Sequence, residues 1–369
     1  MTECTHPSFA AARADQAQRL GEAIETVTQT VADRARAGLL SRPGPIFVAI
    51  GASHAAACAP VWVLRSRGIH TWRLSAGDLP LPFPRSDHPV VGVSQSGRSA
   101  ETLAVLESVP REQRYAVVNT NPSPIADIAA TVIDTGNIPD SYASTIGYTG
   151  AVAALGILAD AWAGGTVDTG WHEVPAAFLT AEAELTEQVA ALAPMFAEAC
   201  SADFVGAGPS VGSAEAAALL FREVARLPAA GMGTRQYLHG SMESAGDGVH
   251  VLFGDSRERE VAATLSSAGH RVVLVTSSPV EAARNLAVVQ IPSRPPAQRV
   301  IFEALVMQIL AAAVAGVRAV EIEEFVFHNS DTKVPASAWS ADDAASLERA
   351  ALHGAQPASD PAAARSAPG

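Results

Sequence analysis

The chain has 369 residues, 48% apolar and 17% charged, with 38 acidic against 25 basic side chains and a net charge of −13. At roughly 100–200 residues per domain this length predicts about two domains, each with a substantial core, and the apolar content excludes a disordered chain. The acidic excess argues against a general nucleic-acid binder or an anionic-membrane binder, because both need a basic surface, and leaves open only a local basic pocket for a small anion.

The first forty residues read as a polar, alanine-rich helical arm, with Leu20, Ala23, Ile24 and Val27 at three- and four-residue spacing. Pro45 to Ile50 is a short, continuous apolar run that ends at Gly51-Ala52-Ser53 and gives way to a helical pattern, as a buried parallel strand feeding a helix does. The same unit returns at His88 to Val93, followed by Ser94-Gln95-Ser96-Gly97, and again at Tyr115 to Asn119. Helical stretches follow around Thr149–Gly164 and Val174–Cys200, and then the pattern starts over. Asp203 to Gly208 is a strand with a glycine turn, Ser213 to Leu227 an amphipathic helix, and Val249–Phe253, Arg271–Val275 and Ala287–Ile291 are further strands. Alternation of strand, polar loop and helix predicts an α/β fold of two open parallel sheets flanked by helices, two copies of one unit. The expected organisation is an arm over 1–40, a first domain over 41–165, a connecting helix over 166–200, a second domain over 201–335 and an Ala/Pro-rich mobile tail over 341–369. Neither Ala229–Arg235 nor Glu321–Ser337 has a readable pattern.

The N-terminal ten residues lack a charged region followed by an apolar one, and the most apolar stretch, Ala151 to Trp162, is too short to span a bilayer. Cys4, Cys58 and Cys200 have no metal-type spacing. A cytoplasmic protein is expected, with no metal, no cofactor, no nucleic-acid partner and no membrane association.

Ser94 to Thr102 carries the most chemistry. It follows a buried strand and opens a helix, so the hydroxyls of Ser94, Ser96, Ser99 and Thr102 converge with backbone N–H groups where the helix dipole favours an anion. The same serines could equally serve only as a capping cluster for the first helical turn. Glu223 lies in a mostly apolar helical context that would raise its pKa toward that of a base near neutrality, unless it is exposed and paired with Arg222 or Arg226. His54, beside Ser53, reads as a polar helix-start residue or a pocket wall. His328 lies near Lys333, the single lysine among 24 arginines. Coding bias explains that ratio, and so does a position that needs an amine, which a guanidinium cannot replace.

The run Ser94 to Thr102 resembles the phosphate-binding loop of the sugar-isomerase (SIS) domain family, S-Q-S-G-x-[ST]-x-[DE]-T. Gly51-Ala52-Ser53 and Tyr142-Ala143-Ser144-Thr145 are similar to segments of the isomerase part of glucosamine-6-phosphate synthase, and the resemblance covers about residues 5 to 335. It implies two tandem SIS subdomains of the flavodoxin-like three-layer type. It also implies that Ser53, Ser94, Gln95, Ser96 and Ser99 bind the phosphate of a sugar phosphate and that Ser144 touches the sugar. In the family a G-x-G turn precedes a helical glutamate base by fifteen residues, and a histidine that assists ring opening follows sixteen residues later; Gly206-Ala207-Gly208, Glu223 and His239 keep both gaps. That histidine reaches the neighbouring subunit's site, which implies a homodimer. Two departures stand out. The synthase's lysine three residues before the glutamate is Leu220 here, and its lysine near the C-terminus sits in a motif that His328 to Pro335 does not match, so Lys333 enters the catalytic set as a hypothesis only. The resembling region begins almost at once in this sequence, so glutamine-dependent synthesis by this chain alone is not expected. The resemblance thus implies an enzyme acting at C1/C2 of a hexose or amino-sugar 6-phosphate, by aldose–ketose isomerisation or by amine release as in stand-alone deaminases and deglycases. A regulatory protein that binds a phosphosugar without turning it over is the alternative.

Overall fold

The computed structural model describes residues 6–323, 325–327 and 329–335. Cys4, His328 and the segment 341–369 lie outside the described residues. The N-terminal arm is two helices, α1 (Phe9–Ala14) and α2 (Gln16–Arg36), separated at Asp15, where ψ opens to −5°. Leu20, Ala23, Ile24 and Val27 are buried, as their spacing predicts.

The first sheet is built from β1 (Ile46–Ala49), α3 (Gly51–Ala56), α4 (Cys58–Ser66), β2 (Trp72–Ser75), β3 (Val90–Ser94), α5 (Ala100–Glu107), β4 (Arg114–Val118), α6 (Pro124–Ile128) and β5 (Thr131–Asp134). Its five strands are all parallel, in the order β2-β1-β3-β4-β5. Two long helices, α7 (Ile146–Ala161) and α8 (Val174–Ala190), lead to the second sheet. That sheet contains β6 (Ala202–Gly206), α9 (Ser210–Val224), β7 (Ala229–Gly233), α10 (Thr234–Leu238), β8 (Val249–Phe253), α11 (Arg257–Ser267), β9 (Arg271–Thr276) and β10 (Leu286–Gln290), and α12 (Pro296–Val317) closes it. It is again all parallel, with β7-β6-β8-β9-β10 repeating the order of the first.

Ile46–Ala49 and Val249–Phe253 are buried at every position, which is why the first reads as a continuous apolar run and the second as one broken only by His250, instead of alternating. Strand β7, in the segment without a readable pattern, is Ala-Ala-Gly-Met-Gly on a sheet edge; with glycine and alanine at four of five positions it has no apolar signature, and pairing with β6 alone makes it a strand. One continuous core joins the inner faces of both sheets through α4, α7, α9 and α12, while α5 and α6 cover the outer face of the first sheet and α11 that of the second. Each unit is thus three-layered. Ile146–Gly164 and Pro296–Val317 are both long and apolar enough to cross a membrane by composition, the second more apolar than the stretch singled out in the sequence; both are mostly buried inside the protein, as core helices are.

Candidate active site

A cleft of about 360 Å³ opens between the two sheets at the C-terminal end of the first. Its walls come from Ser53 at the start of α3, Gln95 after β3, the segment Asp140 to Tyr148, Glu223 on α9, and Phe325 and Lys333 from the chain after α12. Five of the sequence-predicted residues therefore share one cleft: Ser53, Gln95, Ser144, Glu223 and Lys333.

The loop carrying Gln95 also holds Ser94, Ser96 and Ser99. Gly97 takes φ +63°, and a Cβ there would lie 1.9 Å from the Ser123 hydroxyl, so the turn requires glycine. Ser94 is buried at the strand end, and its hydroxyl meets that of Ser99 at 2.9 Å. Ser99 occupies the N-cap of α5 without a side-chain capping bond, so the capping role does not use it. Ser96 and Ser99 are half-buried on this loop but are not among the residues lining the cleft. The chain after α12 returns over the same loop. Ala100 N–H donates to Thr332 O (3.2 Å), Val334 N–H to Arg98 O (2.9 Å) and Arg98 Nε to Val334 O (2.7 Å). This antiparallel bridge pairs Ser99 with Lys333 and sets the lone lysine at the loop's edge of the cleft.

Asp140, which the sequence reading missed, organises the opposite wall. Buried, it accepts hydrogen bonds from Ser141 N (2.9 Å), Ser144 Oγ (2.9 Å), Thr145 N (3.0 Å), Thr145 Oγ1 (2.6 Å) and Gly147 N (2.9 Å). It thereby satisfies the first turn of α7 from five residues upstream of Thr145 and aims Ser144. A Cβ on Gly147 would lie 2.5 Å from its Oδ2, so the carboxylate approaches the helix start only over a glycine.

Glu223 stands in the last turn of α9. The helix stops at Val224, one turn short of the Leu227 expected, because Arg226 turns left-handed at φ +47° and Leu227 N–H closes back on Phe221 O at 3.2 Å. Leu219 and Leu220 lie one turn below it, and beneath the cleft a small, mostly apolar cavity is bounded by Ala216, Leu220, Met307 and Glu223 itself. Burial pushes the Glu223 carboxyl up to about 7, and its position at a helix C-terminus disfavours the anion further. The alternative pairing with Arg222 does not form: Arg222 Nε donates to Ala229 O at 2.8 Å.

His239 is apart from this cleft within one chain. It is the C-cap of α10, exposed, on the edge of the second sheet. His54 is not among the residues lining the cleft, and its Nδ1 meets Arg73 Nη1 at 3.2 Å. Arg73 on β2 also makes a bidentate pair with Glu215 on α9, one of its bonds at 2.7 Å, which ties the first sheet to the helix of Glu223. Burial and the neighbouring Arg73 charge hold the His54 pKa below its usual value.

The corresponding strand end of the second sheet is organised by an acidic side chain, Asp255. After β8, Asp255 accepts from Thr276 Oγ1 (2.6 Å), Ser277 N (2.7 Å) and Ser277 Oγ (2.8 Å) and pairs with Arg299. Burial opposes its ionisation, yet these donors hold its carboxyl well below the usual range.

No family model and no curated protein sequence matches the chain. Solved structures do. The C-terminal domain of glucosamine-fructose-6-phosphate aminotransferase from Francisella tularensis superposes with a TM-score of 0.75 at 16% identity, over 88% of this chain and 99% of that one. Tagatose-6-phosphate ketose/aldose isomerase from Escherichia coli gives 0.69 at 16% identity, over 88% and 100%. Glucosamine-6-phosphate deaminase from Thermotoga maritima gives 0.66 at 15% identity, over 86% and 99%.

Proposed function

We propose, taking as premise that the chain has the tandem sugar-isomerase fold of these structures, that it is a phosphosugar-processing enzyme acting at C1/C2 of a hexose or amino-sugar 6-phosphate. The observation that carries this reading is Glu223: a half-buried carboxylate whose pKa burial pushes up to about 7, in the same cleft as Ser53, Gln95 and Ser144. A base with that pKa is half ionised at neutral pH and can take a carbon-bound proton next to a carbonyl. The phosphate sits at the loop of Ser94, Gln95, Ser96 and Ser99 with Ser53, where hydroxyl and backbone donors hold an anion without a cationic surface. Ser144, fixed by Asp140, hydrogen-bonds a sugar hydroxyl.

With the linear sugar bound, Glu223 removes the proton from C2 of an aldose, an enediol or enolamine forms, and the proton returns at C1. In an amino sugar the same transfer moves the C–N bond into an imine, which water hydrolyses with release of the amine. Lys333 contributes an amine at the loop's edge, for ring opening or carbonyl condensation. His239, exposed on its own chain, serves the cleft of a second copy in a homodimer. All three structural neighbours are named for hexose 6-phosphate chemistry, which supports the substrate class. Leu220, apolar one turn before the base, favours amine release over plain isomerisation. A coupled screen for amine release against amino-sugar and fructosamine 6-phosphates tests the reading. Amine release supports it, a ketose without amine release shifts it to isomerisation, and binding with no turnover of any member replaces it by a phosphosugar sensor.

A further inference from the structure

The cleft holding Glu223 is not the end of the accessible space. A second cleft of about 620 Å³ adjoins it. The two share Gln95, Tyr142, Phe325 and Lys333 on their common border, whereas Glu223 and Ser53 belong to the first alone. A sugar phosphate held against Glu223 therefore has room to continue past Tyr142 and Lys333.

The chemistry of the second cleft differs from that of the first. The Tyr142 ring meets His6 and Phe325 edge-on, with centroids 5.2 Å apart in both pairs, and Phe327 adds a side chain that is 80% exposed. Of the polar side chains lining it, two are committed within the fold: Asn119 Nδ2 donates to Ile138 O, its Oδ1 accepts from Thr135 and Ile138, and Asn137 pairs with Asn121; Gln95, Thr120 and Asn329 line it as well. The Asp140 oxygens are taken by the α7 turn. An occupant thus meets a set of aromatic faces and edges beside the neutral polar groups of Gln95, Thr120 and Asn329, with Lys333 as the one lysine or arginine among the described lining residues. Such a wall pairs with a group that has an apolar face, and large exposed aromatic surface of this kind marks a binding site more often than inert surface.

We propose that this second cleft is a subsite for an amine-linked substituent with an apolar face, so that the substrate is an N-substituted sugar phosphate and not a bare amino sugar. This rests on the phosphosugar reading above and deepens it: the first cleft takes the sugar phosphate and presents its reacting carbons to Glu223, and the second takes the group that leaves.

Calorimetric titration of the full chain with two unreactive linear probes separates the two claims. The probes are 1-amino-1-deoxysorbitol 6-phosphate and its N-benzyl derivative, which share phosphate, hydroxyls and ammonium charge. The N-benzyl probe should bind about tenfold more tightly to the wild type, the order expected of one buried aromatic contact. In Phe327→Ala that advantage should fall to less than about threefold, a few tenths of the aromatic contact remaining, while the affinity of the parent probe is unchanged; Phe327→Trp should restore it. Binding of the parent probe with no gain from the benzyl group overturns the subsite and leaves the phosphosugar reading standing. Equal loss of both probes in Phe327→Ala also overturns it. Binding of neither probe to the wild type overturns both.

Discussion

Replacing Glu223 by glutamine removes a charge that the fold accommodates poorly, so the variant should be more stable than the wild type while losing its activity. The magnitude follows from the shift in the carboxyl from its ordinary 4.5 to about 7, which corresponds to about 3 kcal/mol against the ionised form. In the unfolded chain Glu223 ionises above its ordinary pKa, whereas the native state keeps the proton until about pH 7. The native state therefore binds more protons between these two values, and wild-type stability falls as pH rises through that window and is level above it. Glutamine stays neutral throughout. Urea unfolding should show Glu223→Gln and wild type nearly equal at pH 5 and the variant more stable by about 2–3 kcal/mol at pH 8.5. Activity should fall by about 10²–10⁴-fold, the usual worth of a general base, and wild-type kcat/KM should rise with pH to a plateau above about 7. Equal or lower stability of the variant at pH 8.5 would refute the reasoning, because it would mean that the Glu223 carboxylate is solvated or paired in the native state.

Three further outcomes test the supports of the site. Arg73→Ala leaves Glu215 without its bidentate partner at the junction of the first sheet and α9, and should cost about 1–3 kcal/mol by chemical denaturation; a silent variant would show that the pair is not holding the two units together. Asp140→Asn replaces an acceptor that takes five donors by an amide that can accept at one atom only, so thermal unfolding should shift down by about 2–3 kcal/mol and KM should rise through loss of Ser144 alignment. Gly97→Ala meets both a left-handed φ and the Ser123 hydroxyl, and should weaken phosphosugar binding more than it weakens the fold, read by calorimetry against urea unfolding; an unaltered Kd would remove the loop from the phosphate site.

The fold was legible because its central strands are buried on both faces, so that Pro45–Ile50 stands out as an uninterrupted apolar run, and Asp203–Gly208 and Val249–Phe253 as mostly apolar ones, each bounded or ended by glycine. Of the strands on the sheet edges β10 was found, at Ala287–Ile291, but β7 and β2 were not: β7 is nearly all glycine and alanine, and β2, with Trp72 exposed, carries Arg73 into an ion pair with α9 that no local pattern announces. In the site, Gln95, Ser53 and Glu223 could be found from loop and spacing. Asp140 could not, because its role depends on the chain folding back over a helix start five residues later. Its signal, an aspartate shortly before Ser-Thr and an apolar helix, is common in turns that bind nothing. The return of residues 332–334 over the Ser99 loop is likewise a tertiary pairing, and it is what brings Lys333 to the wall of the same cleft as Glu223.

The central claim, proton transfer at C1/C2 by Glu223 on a bound phosphosugar, is tested most directly by following deuterium incorporation from D2O into a panel of hexose and amino-sugar 6-phosphates by NMR. The account predicts that the wild type exchanges a C1 or C2 hydrogen of at least one member and that Glu223→Gln binds the same sugar without exchange. A wild type that binds a phosphosugar and exchanges neither hydrogen, or a Glu223→Gln variant that exchanges at the wild-type rate, would contradict it.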